Sequence, residues 1–202
     1  MRTIGALIFE GFELLDLYGP LEMFGLLEDE FRIRLVAEDA APVASAQAAR
    51  SMPDATFADG ESYDVLLIPG GRGTRREVRN EALLGWLREA SARAELTTSV
   101  CTGAALLARA GLLDGRAATT NKLAFDAMAK YGPKTDWRRR ARWVEDGPVM
   151  TASGVSAGID MSLAAIERLV GPEAAAKAAL WAEYERNADP DHDPFEAAKA
   201  PA

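Results

Sequence analysis

Short apolar runs alternate with longer amphipathic stretches along the whole chain. TIGALIF (Thr3–Phe9), RIRLVA (Arg32–Ala37), DVLLIP (Asp64–Pro69), TTSV (Thr97–Val100), AATT (Ala117–Thr120) and VMTA (Val149–Ala152) predict strands. Several are apolar nearly throughout, as strands buried on both faces of a parallel sheet should be. Helices are predicted around Pro20–Leu27, Glu81–Ala94, Gly103–Ala110, Lys122–Tyr131, Ser156–Val170 and Pro172–Arg186. Ser156 stands as a cap ahead of AGIDMSLAAIERL, and Gly171-Pro172 separates the last two helices. This alternation predicts an α/β fold with an open, doubly wound sheet. Without an internal repeat or a low-complexity linker, residues 1–186 are expected to form one domain. Residues 187–202, polar and rich in Asp, Pro and Ala, read as an extended arm with a frayed end, whose Phe195 has room to pack on a partner subunit.

Composition narrows the classes. The chain has 202 residues, 49% of them apolar and 27% charged, ordinary values for a globular protein with a proper core. Its formal charge of −8 argues against a nucleic-acid partner, which requires a basic face. The basic run Trp137-Arg138-Arg139-Arg140-Ala141-Arg142 reads as a solvated stretch before a strand. No segment reaches the roughly 18–20 continuous apolar residues of a membrane span, and the acidic residues in MRTIGALIFEGFELLD do not suit a secretory signal. One cysteine forms neither an internal disulfide nor a cysteine-rich metal site. A cytoplasmic protein is expected.

That cysteine, Cys101, sits where the run LTTSV stops and the small-residue helix TGAALLARAGLL begins. In open α/β sheets ligands bind beyond the carboxyl ends of the strands, and a sharp strand-to-helix turn thrusts a side chain into that crevice. Helix N–H groups there favour an anion, so the thiol pKa is expected to fall below about 8.5. The competing reading is a small buried hydrophobe. The one histidine, His192, lies in the distant tail ADPDHDPF, which leaves a Cys-His pair unsupported.

Two other stretches bear on the same crevice. Gly70-Gly71, in IPGG, is either a tight turn or a pair of backbone N–H donors completing an oxyanion hole; GGRGT lacks phosphate-loop spacing. Asp16, between Leu15 and Leu17, is an ionisable group in apolar surroundings. It is either the N-cap of the Pro20 helix or a carboxyl that shares a proton with Cys101. Asp160 reads as a capping or pairing residue, and Glu10 and Glu13 as loop residues.

LLDLYGP, DVLLIPGGRGT, SVCTGAALLARAGLLDGRAATT and GVSAGIDMSL together resemble the DJ-1/PfpI superfamily, most of all its isonitrile (isocyanide) hydratase branch. The resemblance implies a flavodoxin-like, class I glutamine amidotransferase-like three-layer sandwich with a mostly parallel sheet and a nucleophile elbow, assembled as a homodimer. It makes Cys101 the nucleophile, Asp16 its acidic partner, Thr102 the residue following it, and Gly70 and Gly71 the glycine pair of the pocket. Two positions depart from the pattern. ATTNK, with Asn121 and Lys122, replaces the branch's ATTHW, and Tyr18 stands where threonine is usual; both Asn121 and Tyr18 are expected to shape the pocket.

The implied reaction is hydration of an isocyanide, a small-molecule substrate, to an N-substituted formamide through a thioimidate on Cys101, with no metal or organic cofactor. Glyoxalase-type carbonyl chemistry and a non-catalytic redox or stress sensor are the alternatives.

Overall fold

A computed structural model describes residues 1–198. Its strands are β1 (Arg2–Leu7), β2 (Phe31–Ala37), β3 (Val43–Ala44), β4 (Arg50–Ser51), β5 (Ala55–Thr56), β6 (Val65–Ile68), β7 (Leu96–Ser99), β8 (Ala117–Ala118), β9 (Asp136–Trp137), β10 (Trp143–Asp146) and β11 (Val149–Ala152). Its α-helices are α1 (Leu14–Gly25), α2 (Thr74–Glu77), α3 (Glu81–Arg93), α4 (Gly103–Arg109), α5 (Phe125–Ala129), α6 (Ala157–Leu169) and α7 (Pro172–Trp181). The main sheet runs β10-β11-β7-β6-β1-β2-β5, parallel except for β10 on β11. Helices α1, α6 and α7 pack together, as do α2 to α5 around α4, giving the flavodoxin-like α/β arrangement. No helix among the described residues is long and apolar enough to cross a membrane.

Burial on both faces explains the apolar strands. All four residues of β6, Val-Leu-Leu-Ile, are fully buried. The polar strand β7 is equally buried, and both its threonine hydroxyls find partners: Thr98 Oγ1 donates to the Leu66 carbonyl at 2.8 Å, and Thr97 Oγ1 bonds Ser91 Oγ at 2.9 Å. Strand β1 lies between β6 and β2, so the loop after it ends beside the loops that follow β6 and β7.

Four local expectations are corrected. Helix α1 begins six residues before Pro20, so Asp16 sits inside its first turn and is not a cap; Glu13 occupies the cap position. The AATT segment does not join the main sheet: β8 pairs with β9, because Thr119 N–H turns to Thr151 Oγ1 at 2.8 Å and Thr120 Oγ1 to the Cys101 carbonyl at 2.8 Å. Ser156 makes no side-chain cap bond. Helix α7 stops at Trp181, short of Arg186, where Glu183 turns left-handed at φ 49°.

The basic run is only partly solvated. Arg138, Arg139 and Arg140 pair on the surface with Asp136, Asp126 and Glu196. Arg142 is buried and forks onto Asp160 Oδ2 through Nε at 2.7 Å and an Nη at 2.6 Å. Asp160 Oδ1 accepts the Tyr184 hydroxyl at 3.0 Å and the Asn187 N–H at 2.9 Å. That buried carboxylate pins the segment after α7 back onto its own chain. The segment continues over the basic run, with Arg142 N–H on the Pro190 carbonyl at 2.7 Å and Asp193 N–H on the Arg140 carbonyl at 2.8 Å. Residues 199–202 of the expected arm lie outside the described residues.

Candidate active site

Cys101 is the turn residue between β7 and α4, with φ at 56°, a left-handed conformation that costs a non-glycine side chain on the order of 1–3 kcal/mol. The surroundings hold it there. Its N–H donates to the Ser153 carbonyl at 2.8 Å, and its own carbonyl accepts from Thr120. Gly103 follows because a Cβ at that position would come within 2.4 Å of the Ile68 carbonyl oxygen. The thiol residue is 6% exposed.

Asp16 enters from the first turn of α1 and is wholly buried. Its Oδ2 accepts the Gly70 N–H at 2.9 Å. Its Oδ1 has no hydrogen-bond partner among the described residues. Burial pushes the carboxyl up to about 7, against the pull of the Gly70 bond and of a hydrogen bond with Cys101. The thiol is pushed up as well, first by burial and then by the neighbouring Asp16 charge. Hydrogen bonds from the backbone at Thr102 and Val155 pull the other way and do not overcome it. This corrects the expectation of a thiol made acidic by its helix terminus. Burial and the neighbouring carboxylate both favour the protonated thiol.

Thr102 braces the facing loop. Its Oγ1 accepts the Gly71 N–H at 3.0 Å and shares a 3.0 Å hydrogen bond with Thr74 Oγ1. The glycine pair is thereby spent: Gly70 N–H is on Asp16 and Gly71 N–H on Thr102. Neither amide is left as the oxyanion donor anticipated from IPGG. Gly70 is required for space, since a Cβ there would sit 2.5 Å from both Thr102 N and Thr102 Oγ1.

A cavity of about 330 Å³ is walled by Leu15, Leu123, Val155 and Phe195 and by the polar residues Asn121, Lys122 and Ser153; Cys101 does not line it, and Ser153, whose carbonyl accepts the Cys101 N–H, stands between the two. Asn121 also accepts the Ala124 N–H at 3.0 Å and so shapes the turn into α5. No group of three or more His, Cys, Asp or Glu among the described residues is arranged to hold a metal.

Residues 2–168 match the DJ-1/PfpI family. The chain belongs to that family. It is 38% identical over 183 residues to isonitrile hydratase of Pseudomonas putida, a match covering 90% of this chain and 78% of that protein. It is 30% identical over 190 residues to the HTH-type transcriptional regulator GbdR of Pseudomonas aeruginosa, of which it spans only 51%. A ThiJ/PfpI family protein from Pseudomonas syringae superposes with a TM-score of 0.84 at 34% identity, over 98% of this chain and 78% of that one. Drosophila melanogaster DJ-1beta superposes at 0.81 with 17% identity, over 91% and 98% of the two chains, a likeness of fold.

Within this DJ-1/PfpI site the structure brings together Cys101, Asp16, Thr102, Gly70 and Gly71, and Asn121 borders the cavity. Tyr18 does not line it. Two residues along a helix is about 200° of rotation, so Tyr18 faces away from Asp16 and its hydroxyl bonds Ser51 Oγ at 2.7 Å. His192 is exposed in the arm. Val155 was missed by sequence reasoning: its φ of 30° is unusual for a β-branched residue and turns its backbone toward the thiol. Only GVSAG, a small-residue stretch after β11, hinted at it. Lys122, which departs from the family pattern together with Asn121, lines the cavity as well, and Ser153 was not anticipated there.

Proposed function

We propose that the protein is a cysteine-dependent isonitrile hydratase, converting R–N≡C and water to R–NH–CHO. The observation that carries the reading is the buried pair: a neutral Cys101 thiol on a left-handed turn beside Asp16, whose Oδ1 is unpartnered and whose pKa lies near 7. The 38% identity to a named isonitrile hydratase supports it. The reading includes a homodimer in the cytoplasm that acts on a small molecule.

An isocyanide carbon is electrophilic and must gain a proton as it gains a nucleophile. Cys101 sulfur bonds to that carbon while Asp16, as carboxylate, takes the thiol proton and passes it to the same carbon. The product is a thioimidate, R–N=CH–S–Cys101. Water then adds across the C=N bond, hydroxyl to carbon and proton to nitrogen. Collapse breaks the C–S bond, and the hydroxyl proton returns through Asp16 to sulfur as the formamide leaves. Thr102 and Val155 supply the backbone donors at sulfur. Raised pKa values on both groups suit such a relay, because the proton moves between sites of low charge stability.

The test is ultraviolet absorbance of para-nitrophenyl isocyanide with wild type and Cys101→Ala. Formamide from wild type alone supports both the reaction and the nucleophile. Equal turnover by Cys101→Ala, or none by wild type with this and aliphatic isocyanides, overturns the reading in favour of carbonyl chemistry or sensing.

A further inference from the structure

The first hydrogen bonds of the turn into α4 run from Gly103 N–H to the Val100 carbonyl at 2.9 Å and from Ala105 N–H to the Thr102 carbonyl at 3.0 Å. Between them they pass over Cys101. Its carbonyl is met by a side chain instead: Thr120 Oγ1 donates to it at 2.8 Å. Thr120 is fully buried and comes from the segment after β8, 19 residues further along the chain. That segment is fixed on both sides of the threonine. Before it, Thr119 N–H donates to Thr151 Oγ1 at 2.8 Å, and Thr119 Oγ1 donates to the Arg138 carbonyl at 2.8 Å. After it, the buried Lys122 Nζ donates to Thr119 Oγ1 at 2.8 Å and to the Ala141 carbonyl at 2.6 Å. A β-branched side chain has few χ1 choices, so the fixed backbone also sets the direction of the Thr120 hydroxyl.

We infer that Thr120 is a positioning residue for Cys101, holding its carbonyl so that the sulfur stays in the left-handed turn beside Asp16. The inference rests on the reading of Cys101 as the nucleophile and adds to it a residue that acts only through the backbone. The Cys101 residue is gripped at both ends with reference to one strand. Its N–H donates to the Ser153 carbonyl at 2.8 Å, just past β11, and its carbonyl is held from a segment whose Thr119 is tied to Thr151 of β11. A strained backbone persists only where its surroundings over-determine it, and the φ of 56° at Cys101 is such a case. Without the Thr120 hydroxyl the carbonyl loses its buried donor. The turn can then relax, carrying the sulfur away from the carboxyl that exchanges its proton.

The experiment compares wild type with Thr120→Val, which keeps the shape and removes the donor, and Thr120→Ser, which keeps the donor. With para-nitrophenyl isocyanide, kcat of Thr120→Val is expected to fall by about 10- to 100-fold while KM stays within about twofold, the scale of a misplaced reacting group. Thr120→Ser is expected to recover most of that loss. Alkylation of Cys101 by iodoacetamide, followed by mass spectrometry across pH, gives a second readout that needs no isocyanide. Thr120→Val is expected to react faster, with its profile moved to lower pH. Burial and the Asp16 charge hold the thiol pKa up, and both weaken as the sulfur leaves the turn. Wild-type kcat in folded Thr120→Val, equal losses in the valine and serine variants, or an alkylation profile of the valine variant that matches wild type each overturns the inference. If Thr120→Val does not fold, Thr120→Ala takes its place in both measurements. If wild type consumes no isocyanide, the hydratase reading fails separately and the alkylation profiles decide the role of Thr120.

Discussion

Asp16 Oδ2 accepts the Gly70 amide at 2.9 Å while Asp16 Oδ1, equally buried, has no donor on it among the described residues, and the carboxyl stands beside the Cys101 thiol. One oxygen is thus fixed by the backbone and the other is left unpaired in a buried site. The two elements involved, the first turn of α1 and the loop after β6, are 54 residues apart in sequence.

The raised Asp16 pKa sets a pH dependence of activity. The competent pair holds one proton, on sulfur, with Asp16 ionised to receive it. Turnover of an isocyanide by wild type is expected to rise through about pH 7 as Asp16 loses its proton. A flat kcat/KM profile between pH 5 and 8 contradicts the relay.

The same shift costs stability. Folded Asp16 keeps its proton to about 7, against an ordinary value of 3.8, so between those pH values the folded state binds a proton the unfolded chain releases. Its stabilising share is full below about pH 4 and is lost as pH rises through 7, by on the order of 4 kcal/mol at most. Asp16→Asn is therefore expected to abolish turnover and yet to gain on wild type in denaturant stability between pH 5 and pH 8. A constant stability difference across that range counts against the shift.

Gly70→Ala places a methyl group 2.5 Å from Thr102 N and 2.9 Å from Asp16 Oδ2, contacts that require backbone movement. A destabilisation of about 1–3 kcal/mol is expected, with loss of most activity because Asp16 loses its anchor. Melting curves and isocyanide turnover read the two effects.

Thr102→Val removes the acceptor for the Gly71 N–H and the partner of Thr74, whereas Thr102→Ser retains both. The valine variant is expected to lose about 1–3 kcal/mol, the cost of an unpaired buried polar group, and the serine variant much less. Equal melting temperatures for the two contradict the bracing role.

Arg142→Ala leaves Asp160 buried and uncompensated, at a cost of about 3–5 kcal/mol. Since Asp160 also holds Tyr184 and Asn187, the segment after α7 should become protease-sensitive first. Limited proteolysis followed by mass spectrometry locates the cut, and cleavage elsewhere first contradicts the anchoring role of Asp160.

Periodicity determined much of this protein without tertiary information. The apolar runs of β6 and of the buried ends of β1 and β11 are legible because both faces of those strands are covered there. The lone Cys101 at a strand-to-helix junction is legible as an elbow because small residues must follow it where helix and sheet approach closely. Short strands such as β9 and β10 escaped notice, since their few residues carry no period and their pairing depends on distant partners. Tertiary structure alone decided the proton chemistry. No local pattern reveals that Asp16 enters on the buried face of α1, that Gly70 and Gly71 donate to side chains, or that Arg142 leaves a basic run to meet Asp160. Burial, hydrogen bonding and pKa are set by what surrounds a group in space, and a sequence orders residues only along the chain.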